Sequence, residues 1–254
     1  MRRWAVCDAD WNHRADGLAD AEIWPAAVRA GFAGIEAGVR SAAADLAPAR
    51  LAERVRLAAT YRLPVRAVLL CLPADRWPQG ALTGDVQRVV TEVAACASAC
   101  VRLRLDLLGV APDADDDAAS WSRLIAGLAR VRDIAAARGV GVAVQYAPGT
   151  AVADCADAIR LATDVPGTGV LLNTGHAWAA GEDPAQSVRR LGNLLWHVHL
   201  SDGGLPLGRQ HDVSAVVDAL DAGYVGLATV DASGAGVSCT GVEAAAESLQ
   251  ATRR

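Results

Sequence analysis

Eight short runs of branched and leucine-rich residues, separated by alanine-rich stretches of helical length, constrain this chain more than any other feature. They are Arg3–Cys7, Gly34–Ala37, Pro64–Leu72, Val101–Leu108, Val140–Gln145, Gly169–Asn173, Leu194–Leu200 and Gly226–Val230. Nearly continuous apolar strands belong to a sheet covered on both faces, and strands alternating with helices imply that the sheet is parallel. Eight such units in 254 residues match a (β/α)8 TIM barrel, for which about 250 residues is typical. An open, doubly wound sheet is the competing arrangement, but no glycine-rich dinucleotide loop follows the first run. No linker or composition break divides the chain, so a single domain over residues 1–254 is expected.

The intervening segments carry helical patterning. In Trp121–Arg138, Leu124, Ile125, Leu128, Val131 and Ile134 fall on one face, with Arg123, Arg130 and Arg132 largely off it. The acidic run Asp113–Asp117 precedes this helix, where carboxylates suit the positive end of the helix dipole. Ala30-Gly-Phe-Ala-Gly-Ile and Ala222-Gly-Tyr-Val-Gly-Leu look alike. Each offers a glycine for a helix C-cap, then an aromatic, then a strand.

Composition removes several classes of function. A 52% hydrophobic content is enough for a large core, yet no apolar run approaches the roughly 20 residues needed to span a bilayer. Met1-Arg-Arg-Trp-Ala-Val leads directly into the first run, leaving no room for a signal peptide. The six cysteines show no CxxC spacing; Cys96 and Cys100, at helical i,i+4 spacing, read as small residues on a packed face. Reduced thiols point to a cytoplasmic protein. A formal charge of −5 argues against a nucleic-acid partner. All 24 basic residues are arginine, so Schiff-base catalysis through a lysine and a covalent pyridoxal phosphate anchor are both excluded.

Barrel chemistry sits at the C-terminal ends of the strands. The polar residues there are Asp8 and Asp10, Glu36, Cys71, Asp106, Gln145 and Tyr146, Asn173 and His176, His197, His199 and Asp202, then Asp231. In HVHLSD, His197 and His199 point the same way by strand alternation. Trp11, Trp77 and Trp178 follow the first, third and sixth strands and could wall the mouth. The segment Asp231–Gly241 lies where barrels often bind phosphate, but it holds no basic residue and reads as a glycine-rich loop.

Four stretches resemble the xylose isomerase-like barrels, the sugar phosphate isomerases and epimerases: GFAGIEAG (31–38), LLNTGHAWAAGEDP (171–184), WHVHLSDG (196–203) and AGYVGLATVD (222–231). The resemblance covers nearly the whole chain. It implies a divalent ion held by a Glu after strand five, an Asp after strand six, a His after strand seven and a Glu after strand eight. The two glutamates would shuttle a proton beside a substrate carbonyl. The matching positions are Gln145, Asn173, His199 and Asp231, and the family's substrate-contacting His matches His176. Two carboxylates are therefore amides here, and the last is one carbon shorter. Amide oxygens can ligate hard cations, but they do not balance the charge, and Gln145 cannot act as a base.

The chain is accordingly expected to be an isomerase- or epimerase-like enzyme, with lyase, dehydratase and cyclase outcomes open, in a specialised biosynthetic setting. The expected acid–base set is His176, His199 and Asp231. The expected substrate contacts are Gln145, Asn173, Glu36, Asp106, Tyr146, Trp178, His197 and Asp202. No metal and no organic cofactor is expected, although a weakly bound divalent ion is left open. The partner is a small molecule, with no nucleic acid and no membrane, and a homo-oligomer is left open. A catalytically inactive barrel that binds a ligand or partner, and a metal-dependent epimerase with a weakened site, are the rival readings. The related DNA-repair nucleases need a multi-metal cluster and a basic face, and neither is evident.

Overall fold

The computed structural model describes residues 4–9, 19–72, 75–77, 80–103, 107–110, 121–231 and 239–251. Eight strands, β1 (Trp4–Cys7), β2 (Gly34–Val39), β3 (Val65–Leu70), β4 (Leu107–Val110), β5 (Gly141–Gln145), β6 (Thr168–Asn173), β7 (Leu195–Leu200) and β8 (Leu227–Val230), form a closed barrel in sequence order. Every neighbouring pair is parallel, and β1 closes the barrel against β8 through Trp4–Ala228, Ala5–Thr229 and Val6–Val230.

Strand alternation divides the residues between two environments. Val6, Ile35, Ala37, Val142, Val144, Val170, Leu172, Val198, Leu200 and Val230 join the large core beneath the helices. Cys7, Leu69, Ala143 and Leu171 form a small apolar layer of their own. A Cβ at Gly109 would lie 3.1 Å from a Leu171 methyl and 3.2 Å from a Leu69 methyl, so the absent side chain makes room for this layer. The next inward positions are polar: Glu36, Gln145, Asn173, His197, His199 and Thr229, all buried.

The covering helices are α1 (Asp20–Arg29), α2 (Ala42–Asp45), α3 (Pro48–Tyr61), α4 (Val86–Leu103), α5 (Trp121–Ala136), α6 (Cys155–Asp164), α7 (Thr174–Ala179), α8 (Pro184–Leu191), α9 (Ser214–Gly223) and α10 (Cys239–Ala251). Asp154 caps α6 by accepting from Ala156 N and Asp157 N, and Asp183 caps α8, which opens on Pro184. The expected stripe of α5 is present: Leu124, Leu128 and Val131 are buried, and Ile125 and Ile134 pack against the core. Cys96 and Cys100 are buried, free thiols on α4.

Three expectations change. The strand expected over Val101–Leu108 is the end of α4 followed by β4. Val89, Val93, Cys96, Ala97 and Cys100 give α4 a continuous buried face that carries Val101 with it. Position 106 therefore precedes β4 instead of lying near the C-terminal end of the strand, and Asp106 is outside the described residues. The paired glycine segments also differ. Gly31 sits at φ 80° after α1, whereas Gly223 ends α9 without a positive φ. Trp77 is buried beneath the Arg88 guanidinium, 4.3 Å from its ring centre, instead of walling the mouth. Trp11, Asp10, the Asp113–Asp117 run and residues 232–238 are outside the described residues.

Candidate active site

Glu36 on β2 reaches across the barrel to β7. Its Oε2 lies 2.8 Å from His197 Nε2 and 2.9 Å from His199 Nε2, and all three side chains are buried. A neutral imidazole has one donor and one acceptor nitrogen. His197 faces an acceptor at both ends, because its Nδ1 lies 3.1 Å from the Leu227 carbonyl oxygen. Only the doubly protonated ring satisfies both, so His197 and Glu36 form a buried ion pair. Burial works against the Glu36 charge, but the two histidines outweigh it and hold the carboxyl well below its usual range. Glu36 also orients His199, whose Nε2 donates to the same oxygen.

His176, in the first turns of α7, lies beside this group. Its Nδ1 is 3.1 Å from the Tyr146 carbonyl oxygen and 3.2 Å from Gln145 Nε2. With the proton on Nδ1 donated to Tyr146 the ring presents Nε2 as a base, whereas with Nδ1 accepting from Gln145 Nε2 the ring carries its proton on Nε2. Burial lowers the His176 pKa most, and His199 adds to that, against the Tyr146 hydrogen bond and the charge of Asp231. Asn173 caps α7, its Oδ1 accepting from His176 N at 3.3 Å. Asp231 follows β8, its N–H donating to Leu200 O, and its charge acts on both His176 and Cys7. Two buried acceptors, Glu36 Oε1 and Gln145 Oε1, have no protein partner among the described residues. Buried polar atoms of this kind ask for a ligand donor or water.

His176, His199, Asp231, Gln145, Asn173, Glu36 and His197 thus converge at one end of the barrel. Three expected contacts are engaged elsewhere. The Tyr146 hydroxyl donates to Glu182 Oε2 at 3.0 Å, because alternation turns it away from Gln145, and only its main-chain carbonyl serves the site. Asp202 is fully buried and accepts from Gln210 N at 2.8 Å and from His211 Nδ1 at 2.7 Å. Trp178 stacks on His211, ring centres 4.3 Å apart and planes 7° apart. His211 and Thr229, whose Oγ1 lies 3.4 Å from His197 Nε2, were not expected. Alternation from Asp231 would have found Thr229, but nothing in the loop sequence marks His211. A cavity of about 440 Å³ opens at the opposite end of the barrel, between α8 and α9, and Arg189 is its sole charged lining residue.

The sequence model of the xylose isomerase-like TIM barrels matches residues 24–254. The chain belongs to this family. Among curated proteins, an inosose dehydratase of Geobacillus thermodenitrificans (strain NG80-2) is 34% identical over 84 residues, 32% of this chain and 28% of that protein. The match thus spans less than a third of the relative's length. Among solved structures, the probable 3-DHS dehydratase of petrobactin synthesis from Bacillus anthracis superposes with a TM-score of 0.79 at 15% identity, covering 98% of this chain and 99% of that one. An L-ribulose 3-epimerase gives a TM-score of 0.79 at 20% identity, covering 100% and 96%. At those identities the superpositions speak for the shared barrel alone.

Proposed function

We propose that this chain is a small-molecule enzyme that removes a proton beside the carbonyl of a polyhydroxylated ketone, and that it does so without a resident metal. The observation that carries the reading is the double acceptance at Glu36 Oε2, which holds His199 in a fixed orientation at the strand ends. His176, kept neutral by burial, supplies a second imidazole, and Asp231 a carboxylate at the same end of the barrel. A positioned imidazole contributes about 10²–10⁴ to proton transfer. The side chain of Gln145 is uncharged, and its buried Oε1 has no protein partner among the described residues. The proton can return on the other face, which epimerises the carbon, or a β-hydroxyl can depart, which dehydrates the substrate. The likeness to an inosose dehydratase favours the second outcome.

The donors present do not suit the family's divalent ion. Asn173 Oδ1 is engaged as the cap of α7, and Gln145 brings no charge. Glu36, His197 and His199 are grouped closely enough to suggest a different ion site. Ligand atoms about 2.0–2.1 Å from a tetrahedral ion are about 3.3 Å apart, however, whereas these contacts are 2.8 and 2.9 Å, the lengths of hydrogen bonds.

The test is incubation with inosose in D2O, with and without a strong chelator, read by proton NMR, together with elemental analysis of the purified protein. Exchange at the carbon beside the carbonyl is expected to survive chelation, with well under one equivalent of metal per chain. Stoichiometric Mn, Zn, Co or Mg with activity lost on chelation would overturn metal independence. Absence of any exchange would overturn the choice of substrate class.

A further inference from the structure

Beyond the strand ends, one titratable side chain is built into a rigid mount that the reading above does not use. His211 lies in the loop between β7 and α9. Its Nδ1 is 2.7 Å from Asp202 Oδ1, and its main-chain N–H also donates to that carboxylate. Burial opposes the charge of Asp202, but hydrogen bonds from the main chain of Gln210, the His211 ring and the main chain of His211 and Arg209 outweigh it and hold the carboxyl below its usual range. Asp202 is therefore an anion, and Nδ1 of His211 carries its proton. Trp178 covers one face of the ring, which resists its rotation. The Nε2 atom has no partner among the described residues, and the side chain is 29% exposed.

Both anchors belong to the strand ends that form the site. Asp202 follows His199 by three residues, and Trp178 shares the six-residue α7 with His176. A carboxylate that orients an imidazole while the other ring nitrogen faces outward is an arrangement for proton transfer to a bound group. Loss of water from a β-hydroxy ketone needs such a donor in addition to the base. Resting on the proposed function, we propose that His211 is a catalytic residue: the proton donor to the hydroxyl that leaves. The base takes the proton from the carbon beside the carbonyl, and the electron pair of that bond becomes the new C=C bond. The C–O bond to the β-hydroxyl breaks as the imidazolium form of His211 passes its Nε2 proton to that oxygen, releasing water and leaving a neutral ring with its proton on Nδ1. His211 is reprotonated from solvent and the base returns its proton there, so the net change is loss of one water.

The two half-steps separate in D2O. With inosose as the probe, exchange beside the carbonyl reports the base, and appearance of the unsaturated ketone reports the donor. His211→Phe keeps a ring to stack on Trp178 and removes both nitrogens; His211→Gln is the second variant, and thermal melts check that each is folded. The expected result is a 10²–10⁴-fold loss of water elimination with far less loss of exchange, whereas His199→Asn loses both. Elimination at the wild-type rate by a folded His211 variant would overturn the inference and leave the proposed function standing. Exchange without elimination in the wild type would also overturn it. A wild type that does neither would remove the proposed function, and this inference with it.

Discussion

At Glu36 one oxygen accepts from two imidazoles that are only two residues apart in the chain. His197 is charged because both its nitrogens meet acceptors. His176 is held neutral by burial. A base must be unprotonated, so activity should rise with pH through the His176 pKa, and that midpoint should lie below the ordinary histidine value of about 6.5. Gln145→Glu would place a carboxylate beside Nδ1 and favour the charged ring, moving the midpoint up by about a unit or more. The His176 ring signal in an NMR titration measures this without a substrate. The same position bears on metal affinity. Gln145→Glu with Asn173→Asp adds two negative charges at the positions that the sequence resemblance matches to an ion site, and divalent affinity should rise by orders of magnitude. Calorimetric titration with Mn or Mg gives the answer, and an unchanged affinity would mean that these positions do not converge on one ion.

Among the elements, α3 is tied to the barrel by a buried charge. Arg54 is fully buried; its Nη2 lies 3.2 Å from Asp8 Oδ2 and its Nε 2.9 Å from Asp20 Oδ2. This joins α3 to the end of β1 and the start of α1, and Asp8 also accepts from Gly38 N on β2 at 2.6 Å. Removing one partner of such a group strands the others, so Arg54→Leu should cost about 3–5 kcal/mol. Arg50→Ala, at a guanidinium 29% exposed, should cost under about 1 kcal/mol. The loss in Arg54→Leu should depend on pH in a defined sense. Burial raises the Asp8 pKa to about 6 even against the pull of Arg54. A carboxyl whose folded pKa lies above its unfolded one costs stability at neutral pH, and the cost fades as pH falls through the folded value. The variant should therefore be least stable near pH 7–8 and partly recover near pH 5. Denaturant melts across that range test it, and a pH-independent loss would show that Asp8 is not the stranded group.

At the scale of the whole molecule, closure of the barrel is what brings β2 opposite β7, and the Glu36–His197 pair is an ionic link across its interior. Its pH sense is opposite to that of Asp8. Glu36 is held well below the usual carboxylate range, so its stabilisation is complete above its unfolded pKa of about 4.3 and is lost as pH falls through the folded value. Glu36→Gln should be less stable than the wild type at pH 7, and the difference should shrink at strongly acid pH. Paired thermal melts at pH 7 and pH 3 measure it. A difference that grows on acidification would mean that the pair is not ionic.

The sequence alone determined the class of fold, because eight apolar runs alternating with helical segments leave few ways to bury both faces of a parallel sheet. It also marked His199, His176, Gln145, Asn173 and Asp231 at strand ends, since strand period and the family motifs are local properties of the chain. It placed the fourth strand early, because Val101 is β-branched wherever it sits, and only the packing of α4 decides that it ends a helix. Glu36 and His197, 161 residues apart, and Asp202 and His211, separated by an irregular loop, could not be paired from the sequence. Those pairings set which nitrogen carries each proton. They depend on which strands face one another across the closed barrel and on how the loop after β7 folds back, and these are properties of the tertiary structure.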